Sequence, residues 1–174
     1  MRHILITGRI GVGKSTLIRS LLREIPVPVC GMITKKEAAG PDGFCPVYIH
    51  TYGEPKHFDD LNRVGLCREG KSIAFPDAFD RFAGTMNYPH NGVIVLDELG
   101  FLENEAQWFT EAVMRTLDEA PVVIAAVRDK QTPSLDAVRS HPRARVFRID
   151  EQNRDALRET LLTDLPLLLP DLFR

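Results

Sequence analysis

The sequence contains few cysteines, no long apolar run and no surplus of positive charge. Its three cysteines form no CxxC pair, which favours the reduced thiols of a cytosolic protein over a disulfide framework or a zinc site. No run approaches the roughly 20 apolar residues that a membrane-spanning helix needs. The apolar start Ile4-Leu5-Ile6 is too short for a secretory signal and ends at a glycine-rich segment. We therefore expect a soluble, cytoplasmic protein without a membrane partner.

The charge balance narrows the range of partners further. The formal net charge is −2, and the isoelectric point near 6.2 is not that of a typical nucleic-acid-binding domain. No nucleic-acid partner is therefore expected. With 174 residues, 44% of them hydrophobic, and no linker or internal repeat, residues 1–174 are predicted to form a single domain.

Apolar periodicity predicts strands that alternate with helices. Strands are predicted at residues 3–7, 27–34, 44–52, 93–96, 122–127 and 145–149, and helices at 14–24, 75–86, 102–117 and 153–162. The turn at 39–43 indicates an antiparallel hairpin, residues 88–92 indicate a break, and no element is predicted for 53–70. This order indicates an α/β fold with a mostly parallel sheet.

Residues 8–15 match the phosphate-binding pattern GxxxxGK[ST], between a predicted strand and a predicted helix. Glycines allow successive backbone N–H groups to point at phosphate oxygens, and the helix N-terminus adds partial positive charge. A larger residue at Gly13 is expected to block that approach. The predicted nucleotide-binding residues are Gly8, Arg9, Ile10, Gly11, Val12, Gly13, Lys14, Ser15 and Thr16.

The same loop supplies candidates for catalysis and for metal binding. Lys14 is predicted to reach the β and γ phosphates, and the Ser15 hydroxyl is a hard oxygen ligand suited to Mg²⁺. Asp97 ends a predicted buried strand and is placed to share that Mg²⁺, while Glu98 is placed to deprotonate an attacking water. The sequence thus predicts Lys14 and Glu98 as catalytic residues and Ser15 and Asp97 as metal ligands.

Two questions stay open at this site. Residues 97–100 also fit the DxxG pattern of GTPases, but no Asn/Thr-Lys-x-Asp segment follows a later strand, which argues against a classical GTPase. An arginine could stabilise charge on the γ phosphate, and Arg9, Arg128 and Arg154 all stand at suitable points of the chain. The sequence does not choose among them.

Five motifs together resemble the small P-loop nucleoside-triphosphatases of archaea, bacteria and animals, the family of the cancer-related nucleoside-triphosphatases. They are residues 4–9 leading into 11–16, residues 31–34, residues 42–44, residues 97–100 with Glu103 and Phe109 beyond, and residues 153–155. The resemblance implies an ASCE-type P-loop three-layer sandwich, in which another strand lies between the Walker A and Walker B strands. It also implies Mg²⁺-dependent hydrolysis of several nucleoside triphosphates, ATP and GTP included, with little base preference.

The chain departs from the family in two segments, and two other functions stay in consideration. Residues 35–42 lack the family's glycine- and arginine-rich approach to its Gly-Phe pair, and residues 53–73 match poorly. One alternative is a nucleotide or small-metabolite kinase in which residues 35–71 close over a second acceptor. The other is a nucleotide-sensing module with slow hydrolysis. The apolar tail, residues 161–173, is expected to pack on the chain's own core or to serve self-association or a protein partner.

Overall fold

The computed structural model describes residues 2–88 and 91–173, apart from the side chain of Asp171. Pro89 and His90, within the predicted break at 88–92, lie outside the described residues. The strands are β1 His3–Gly8, β2 Val29–Lys36, β3 Cys45–Thr51, β4 Arg63–Arg68, β5 Lys71–Ala74, β6 Val93–Leu99, β7 Val122–Arg128 and β8 Ala144–Arg148. The helices are α1 Lys14–Arg23, α2 Pro76–Ala83, α3 Gln107–Glu119, α4 Pro133–Arg139 and α5 Arg154–Leu168, followed by a 3₁₀ turn at Pro170–Leu172.

All eight strands belong to one sheet, in the order β5-β4-β3-β2-β6-β7-β1-β8. The pairings β2–β6, β6–β7, β7–β1 and β1–β8 are parallel. Strand β7 therefore lies between β1, which leads into the phosphate loop, and β6, which carries Asp97. This arrangement confirms the predicted ASCE-type order and places the carboxyl ends of β1, β2, β6 and β7 at one edge of the sheet.

The antiparallel part of the sheet is larger than the sequence predicts. Strands β2 and β3 form the expected hairpin, and β4 and β5 extend it by two more antiparallel pairings. Neither β4 nor β5 is predicted, because β4 is interrupted by a glycine and β5 is only four residues long. The glycine in β4, Gly65, is needed because a Cβ there would lie 2.8 Å from the carbonyl oxygen of Ile73 on β5.

The sheet is covered on both faces, as a three-layer sandwich requires. Alternate residues of the central strands point to opposite faces, so that Ile4 and Ile6 join one apolar cluster and Leu5 joins the other. Helices α1 and α5 cover the first face, whereas α2, α3 and α4 cover the second.

Helix α3 differs from its predicted bounds, and helix α4 is not predicted from the sequence. Helix α3 begins at Gln107, so Leu102 precedes it as part of a loop. The seven-residue α4 is absent from the prediction, although Thr132 followed by Pro133 is a typical helix start, and the Thr132 hydroxyl accepts the Leu135 N–H at 3.2 Å.

The tail packs on the chain's own core. Helix α5 continues past the predicted residue 162 to Leu168, with Pro166 inside its last turn. Its apolar face and the following turn bury Leu161, Leu165, Leu168, Leu169 and Leu172. This supports the first of the two expectations for the tail. Of the helices that the structure describes, none has the length and hydropathy to cross a membrane.

Candidate functional site

The phosphate loop, residues 8–16, joins β1 to α1 at the carboxyl edge of the sheet. Gly11 and Gly13 have φ angles of +77° and +110°, which L side chains rarely adopt. A Cβ at Gly13 would have no protein atom within 4 Å. Within the protein itself, the left-handed backbone at Gly13 is thus the reason for glycine, and the steric argument concerns only a bound phosphate. Gly8, by contrast, has no room for a Cβ beside the Ile149 backbone.

Lys14 is buried at the first turn of α1 and lies across the mouth of the loop. Its Nζ donates to the carbonyl oxygens of Gly8 and Arg9, each at 2.9 Å. The same Nζ lies 3.2 Å from Glu98 Oε2. The lysine is therefore held at the position from which it can meet a phosphate, with one carboxylate as its counter-ion.

Ser15 and Asp97 come together although 82 positions separate them in the sequence. The Ser15 hydroxyl donates to Asp97 Oδ1 at 2.8 Å. Burial raises the pKa of the Asp97 carboxyl, and the hydrogen bond from Ser15 opposes that rise. The two predicted metal ligands thus form one pair of oxygen donors beside the loop.

Glu98 lies where the ladder between β6 and β7 shifts register, because Asp97 pairs with Ala126 and Leu99 with Val127. Such an irregularity redirects a side chain out of the sheet. The Glu98 amide donates to the Thr34 hydroxyl at 3.3 Å, which ties it to the end of β2. Its carboxylate faces the phosphate loop and contacts two cations at once.

Arg128 is the second of those cations. Its Nε donates to Glu98 Oε1 at 2.8 Å, and its guanidinium lies 5.3 Å from the centre of the Phe101 ring. Of the three arginine candidates, only Arg128 brings its side chain into contact with Glu98 among the described contacts. Arg9 contributes a carbonyl to Lys14, and Arg154 opens α5 with a backbone bond to Asp150.

Glu103 is a further residue of the site whose role the sequence did not assign. It is 5% exposed, and its carboxylate accepts the Gly100 N–H. Burial raises the pKa of Glu103 to about 7. The buried Glu103 carboxyl group therefore holds the loop that follows Asp97 and Glu98 through the backbone of Gly100. An acidic residue close behind the Asp-Glu pair was visible in the sequence, but its burial was not.

Two cavities flank the phosphate loop. One, which we call the front cavity, measures about 380 Å³ and extends from Ser15 and Glu98 to the antiparallel strands. Its lining residues are Ile10, Ser15, Thr34, Lys36, Val47, Cys67, Arg68, Ser72, Phe79, Asp97, Glu98, Gly100, Phe101, Leu102, Glu103, Arg128 and Lys130. The other, the rear cavity, also measures about 380 Å³ and is lined by Arg9, Ile10, Val12 and residues 148–152. Both cavities are lined by Ile10 of the phosphate loop.

The rear cavity is shaped by a hydrogen-bonded turn between β8 and α5. The Asn153 amide accepts the Asp150 N–H at 2.9 Å and donates to the Arg148 carbonyl at 3.0 Å. Asp150 in turn accepts the Gln152 and Asn153 amides. The Asn-Arg-Asp motif at 153–155 therefore fixes the wall of this cavity through its first residue.

Sequence comparison agrees with this geometry. A model of the family described as NTPase matches residues 3–162. The chain belongs to this family. Among its relatives, the cancer-related nucleoside-triphosphatase of Homo sapiens is 30% identical over 186 residues, covering 93% of this chain and 95% of that protein. Nucleoside-triphosphatase THEP1 of Thermotoga maritima is 27% identical over 165 residues, covering 93% and 94% respectively. The chain is thus a nucleoside-triphosphatase of the NTPase family.

Two solved structures have the same fold as this NTPase. The crystal structure of THEP1 from the hyperthermophile Aquifex aeolicus superposes with a TM-score of 0.66 at 20% identity, over 92% of this chain and 97% of that one. The solution structure of the human cancer-related nucleoside triphosphatase gives a TM-score of 0.65 at 24% identity, over 95% and 97%. The predicted fold class and family are both confirmed.

Proposed function

We propose that this NTPase hydrolyses Mg²⁺-bound nucleoside triphosphates, ATP and GTP among them, to the diphosphate and inorganic phosphate at residues 8–16. The observation that carries the proposal is the convergence of two pairs at one edge of the sheet. Ser15 meets Asp97, and Lys14 meets Glu98, at 2.8 and 3.2 Å. One small site thus holds groups that can bind phosphate, groups that can bind a metal ion and a carboxylate that can accept a proton from water.

The residues present fit a magnesium ion. Mg²⁺ prefers oxygen ligands and keeps several of its waters, so one hydroxyl and one carboxylate are a sufficient protein contribution. Asp97 is a largely buried carboxylate whose described side-chain partner is the Ser15 hydroxyl, and a cation would compensate its burial. Ser15 and Asp97 would hold the ion, which would neutralise charge on the transferring phosphoryl group.

Lys14 and Glu98 exchange partners in the proposed reaction. The lysine is paired with Glu98 in the structure, and the triphosphate offers it a stronger, multiply charged partner. Its movement toward the phosphates would free Glu98 Oε2 to accept a proton from the attacking water. The water oxygen then bonds to the γ phosphorus while the bond from that phosphorus to the β–γ bridging oxygen breaks, and the nucleoside diphosphate leaves with that oxygen. Lys14, Arg128 and the loop amides meet the charge on the phosphoryl oxygens.

The rear cavity supports a weak base preference. It lies on the side of the loop away from Glu98, and a nucleoside attached to the bound phosphates would enter it. Its lining residues are polar or aliphatic and include no aromatic ring on which one base could stack. We therefore propose that ATP, GTP, CTP and UTP are all accepted.

The test is phosphate release by the purified chain with each of these four nucleotides, with and without Mg²⁺. Lys14→Ala should abolish release, and Glu98→Gln should lower kcat by about a hundredfold or more, the usual contribution of a general base. Glu105→Gln, a nearby exposed carboxylate, is the matched control and should retain full activity. Undiminished release by Glu98→Gln would remove Glu98 from its role, and undiminished release by Lys14→Ala would remove the site.

One observation favours the kinase alternative in part. Residues 35–71 do border a cavity next to Glu98, through Lys36, Val47, Cys67 and Arg68. A screen of nucleosides, nucleoside monophosphates and small alcohols for ATP-dependent phosphorylation tests it. The nucleotide-sensing alternative needs a partner surface, and the burial of the tail leucines leaves less apolar surface for one.

We further propose that the chain is a single-domain cytoplasmic protein without a nucleic-acid partner. The free thiols Cys30, Cys45 and Cys67 support a cytoplasmic location. The single sheet shared by all described strands supports one domain. The balanced charge supports the absence of a nucleic-acid partner. Self-association through the tail stays a prediction, for which exposed Leu167 is the strongest contact candidate.

A further inference from the structure

The front cavity carries more positive charge than hydrolysis at the phosphate loop uses. Beyond Arg128, it is lined by Lys36 at the end of β2, Arg68 at the end of β4 and Lys130 after β7. Among the ion pairs that the described residues form, none involves these three side chains. They come from three separate elements, and the fold brings them to one cavity.

Two of these cations rest on aromatic rings. The Arg68 guanidinium lies 4.6 Å from the centre of the Phe44 ring, and Lys130 Nζ lies 4.0 Å from that of Phe101. A ring positions a cation without neutralising it, because its quadrupole carries no net charge. The charge of Arg68 and Lys130 is thus available to a ligand.

The carboxylates in the same cavity are already engaged. Asp97 accepts from Ser15, Glu98 is paired with Lys14 and Arg128, and Glu103 accepts from Gly100. The lining holds four cations, Lys36, Arg68, Arg128 and Lys130, against three carboxylates, so the front cavity keeps a net positive charge of one when all three carboxylates are ionised. This surplus can meet an anion other than the triphosphate itself, because Lys36, Arg68 and Lys130 lie outside the phosphate loop.

The size and lining of the cavity indicate what that anion carries. About 380 Å³ lies within the range of small-molecule sites and far exceeds a single phosphate ion. Phe79, Phe101, Val47 and Leu102 supply apolar wall, and the hydroxyls of Thr34 and Ser72 supply hydrogen-bonding groups. A ring-bearing molecule with one phosphate group fits both the charge and the walls.

We propose that the front cavity is a second ligand site, which binds a phosphate monoester of a ring-bearing small molecule beside the nucleoside triphosphate. The inference rests on the proposed function only in assigning the triphosphate to the phosphate loop. Lys36, Arg68 and Lys130 bind the phosphate group of the monoester, and the apolar wall contacts its ring.

The test is calorimetric titration in two stages on the full chain. The first stage saturates the phosphate loop with Mg²⁺ and a non-hydrolysable ATP analogue. The second titrates uridine monophosphate as the probe, with uridine and inorganic phosphate as comparison ligands. We expect uridine monophosphate to bind once per chain, uridine to give no binding, and inorganic phosphate to bind at least about tenfold more weakly.

Matched variants locate the binding. Arg68→Ala should weaken uridine monophosphate about tenfold, which corresponds to about 1.4 kcal/mol. Lys71→Ala is the control, because Lys71 lies 5.9 Å from the same Phe44 ring but does not line the cavity. It should change the affinity by less than about twofold. Unchanged analogue affinity in the first stage shows that each variant is folded.

Each contrary outcome has a distinct meaning. If the analogue does not bind in the first stage, the proposed function fails and this inference fails with it. If the analogue binds but uridine monophosphate does not, or if Lys71→Ala loses as much affinity as Arg68→Ala, this inference alone is overturned. Equal affinity for inorganic phosphate would overturn the monoester assignment in favour of an exit site for product phosphate.

Discussion

At the scale of single residues, Glu98 has the most unusual surroundings. Its carboxylate lies 3.2 Å from Lys14 Nζ and 2.8 Å from Arg128 Nε, so one negative charge is shared by two cations. While both contacts persist, the Glu98 carboxylate is poorly placed to accept a proton from water. The substrate would first have to draw one of the two cations away. In the proposed mechanism, nucleotide binding would therefore activate Glu98 by drawing Lys14 away from it.

Arg128 holds the other oxygen of the Glu98 carboxylate, and its replacement tests how far the proposed activity depends on the position of Glu98. Arg128→Ala removes the contact that fixes Glu98 Oε1, and misplacing a catalytic group can cost about a hundredfold in rate. We expect kcat to fall by about that factor while KM for ATP changes by less than about threefold. Steady-state phosphate release measures both.

The control for Arg128 is Arg145→Ala, an exposed arginine on β8 that rests on Phe147, outside the linings of both cavities. It should behave like the unaltered chain. A large rise in KM with unchanged kcat in Arg128→Ala would instead assign this arginine to ground-state binding of the nucleotide.

At the scale of elements, the close approach of β2 to β6 depends on Gly31. Its φ is +133°, and an added Cβ would overlap the Val95 backbone on the neighbouring strand. Gly31→Ala should therefore lower the free energy of unfolding by about 3 kcal/mol, since overpacking and an unfavourable φ both contribute. Urea unfolding measures the loss.

A second glycine, Gly53, separates the effect of the unfavourable φ from the effect of steric overlap, because an added Cβ there would meet no neighbour. Gly53 has φ +84° and no atom within 4 Å of an added Cβ. Gly53→Ala should cost only about 1 kcal/mol, from the backbone alone. Equal losses for Gly31→Ala and Gly53→Ala would show that the contact with Val95 does not matter.

His3 joins β1 to two neighbouring elements and makes the fold sensitive to acid. Its Nδ1 accepts the Val123 N–H at 3.0 Å, so its Nε2–H is the donor to the Leu117 carbonyl at 2.7 Å. This neutral ring is buried, and burial lowers the pKa of His3 to about 4, with smaller contributions from the nearby charges of Arg143 and His141.

The pH dependence follows from the direction of that shift. The folded protein binds the His3 proton less readily than the unfolded chain, so the stability is fully present above pH 6.5 and is lost as the pH falls toward 4. The loss attributable to His3 approaches about 3 kcal/mol. Urea unfolding between pH 7.5 and 4 should show this extra slope in the unaltered chain and in exposed His57→Gln, but not in His3→Gln. An identical slope in His3→Gln would contradict the assignment.

At the scale of the whole molecule, the tail is part of the domain core. Leu165 is 1% exposed whereas Leu167, two positions on, is 80% exposed. Leu165→Ala should destabilise the chain by about 2–5 kcal/mol, while Leu167→Ala should stay within about 0.5 kcal/mol. Thermal unfolding of the two variants checks the contrast, and comparable losses would contradict the assigned packing.

The same contrast gives a clean test of self-association. Shortening the chain after Asp164 would remove buried leucines and would mix folding with assembly. Leu167→Gln changes only exposed surface. If the tail forms an interface, this variant should dissociate to a smaller species in size-exclusion chromatography. Elution at the same apparent mass as the unaltered chain would count against the interface.

The sequence predicts the parts of the fold in which local pattern and tertiary position agree. Strands β1, β6 and β7 are buried on both faces, so their apolar runs identify them without reference to partners. Strands β4 and β5 escape prediction because their stability comes from pairing, of β4 with β3 and of β5 with β4, and their own residues alternate poorly. Helix α3 begins later than predicted because Leu102 belongs to the core without belonging to a helix.

For the functional site, the sequence by itself determined the phosphate loop and the Asp-Glu pair, because each is a local motif whose chemistry is contained in adjacent residues. It also indicated three arginines as candidates for stabilising charge on the γ phosphate. Only the tertiary structure decided that Arg128 contacts Glu98, that Glu103 is buried beneath Gly100, and that Lys36, Arg68 and Lys130 share one cavity. These residues lie on elements distant in sequence, and their proximity depends on strand order and register, which no local pattern records.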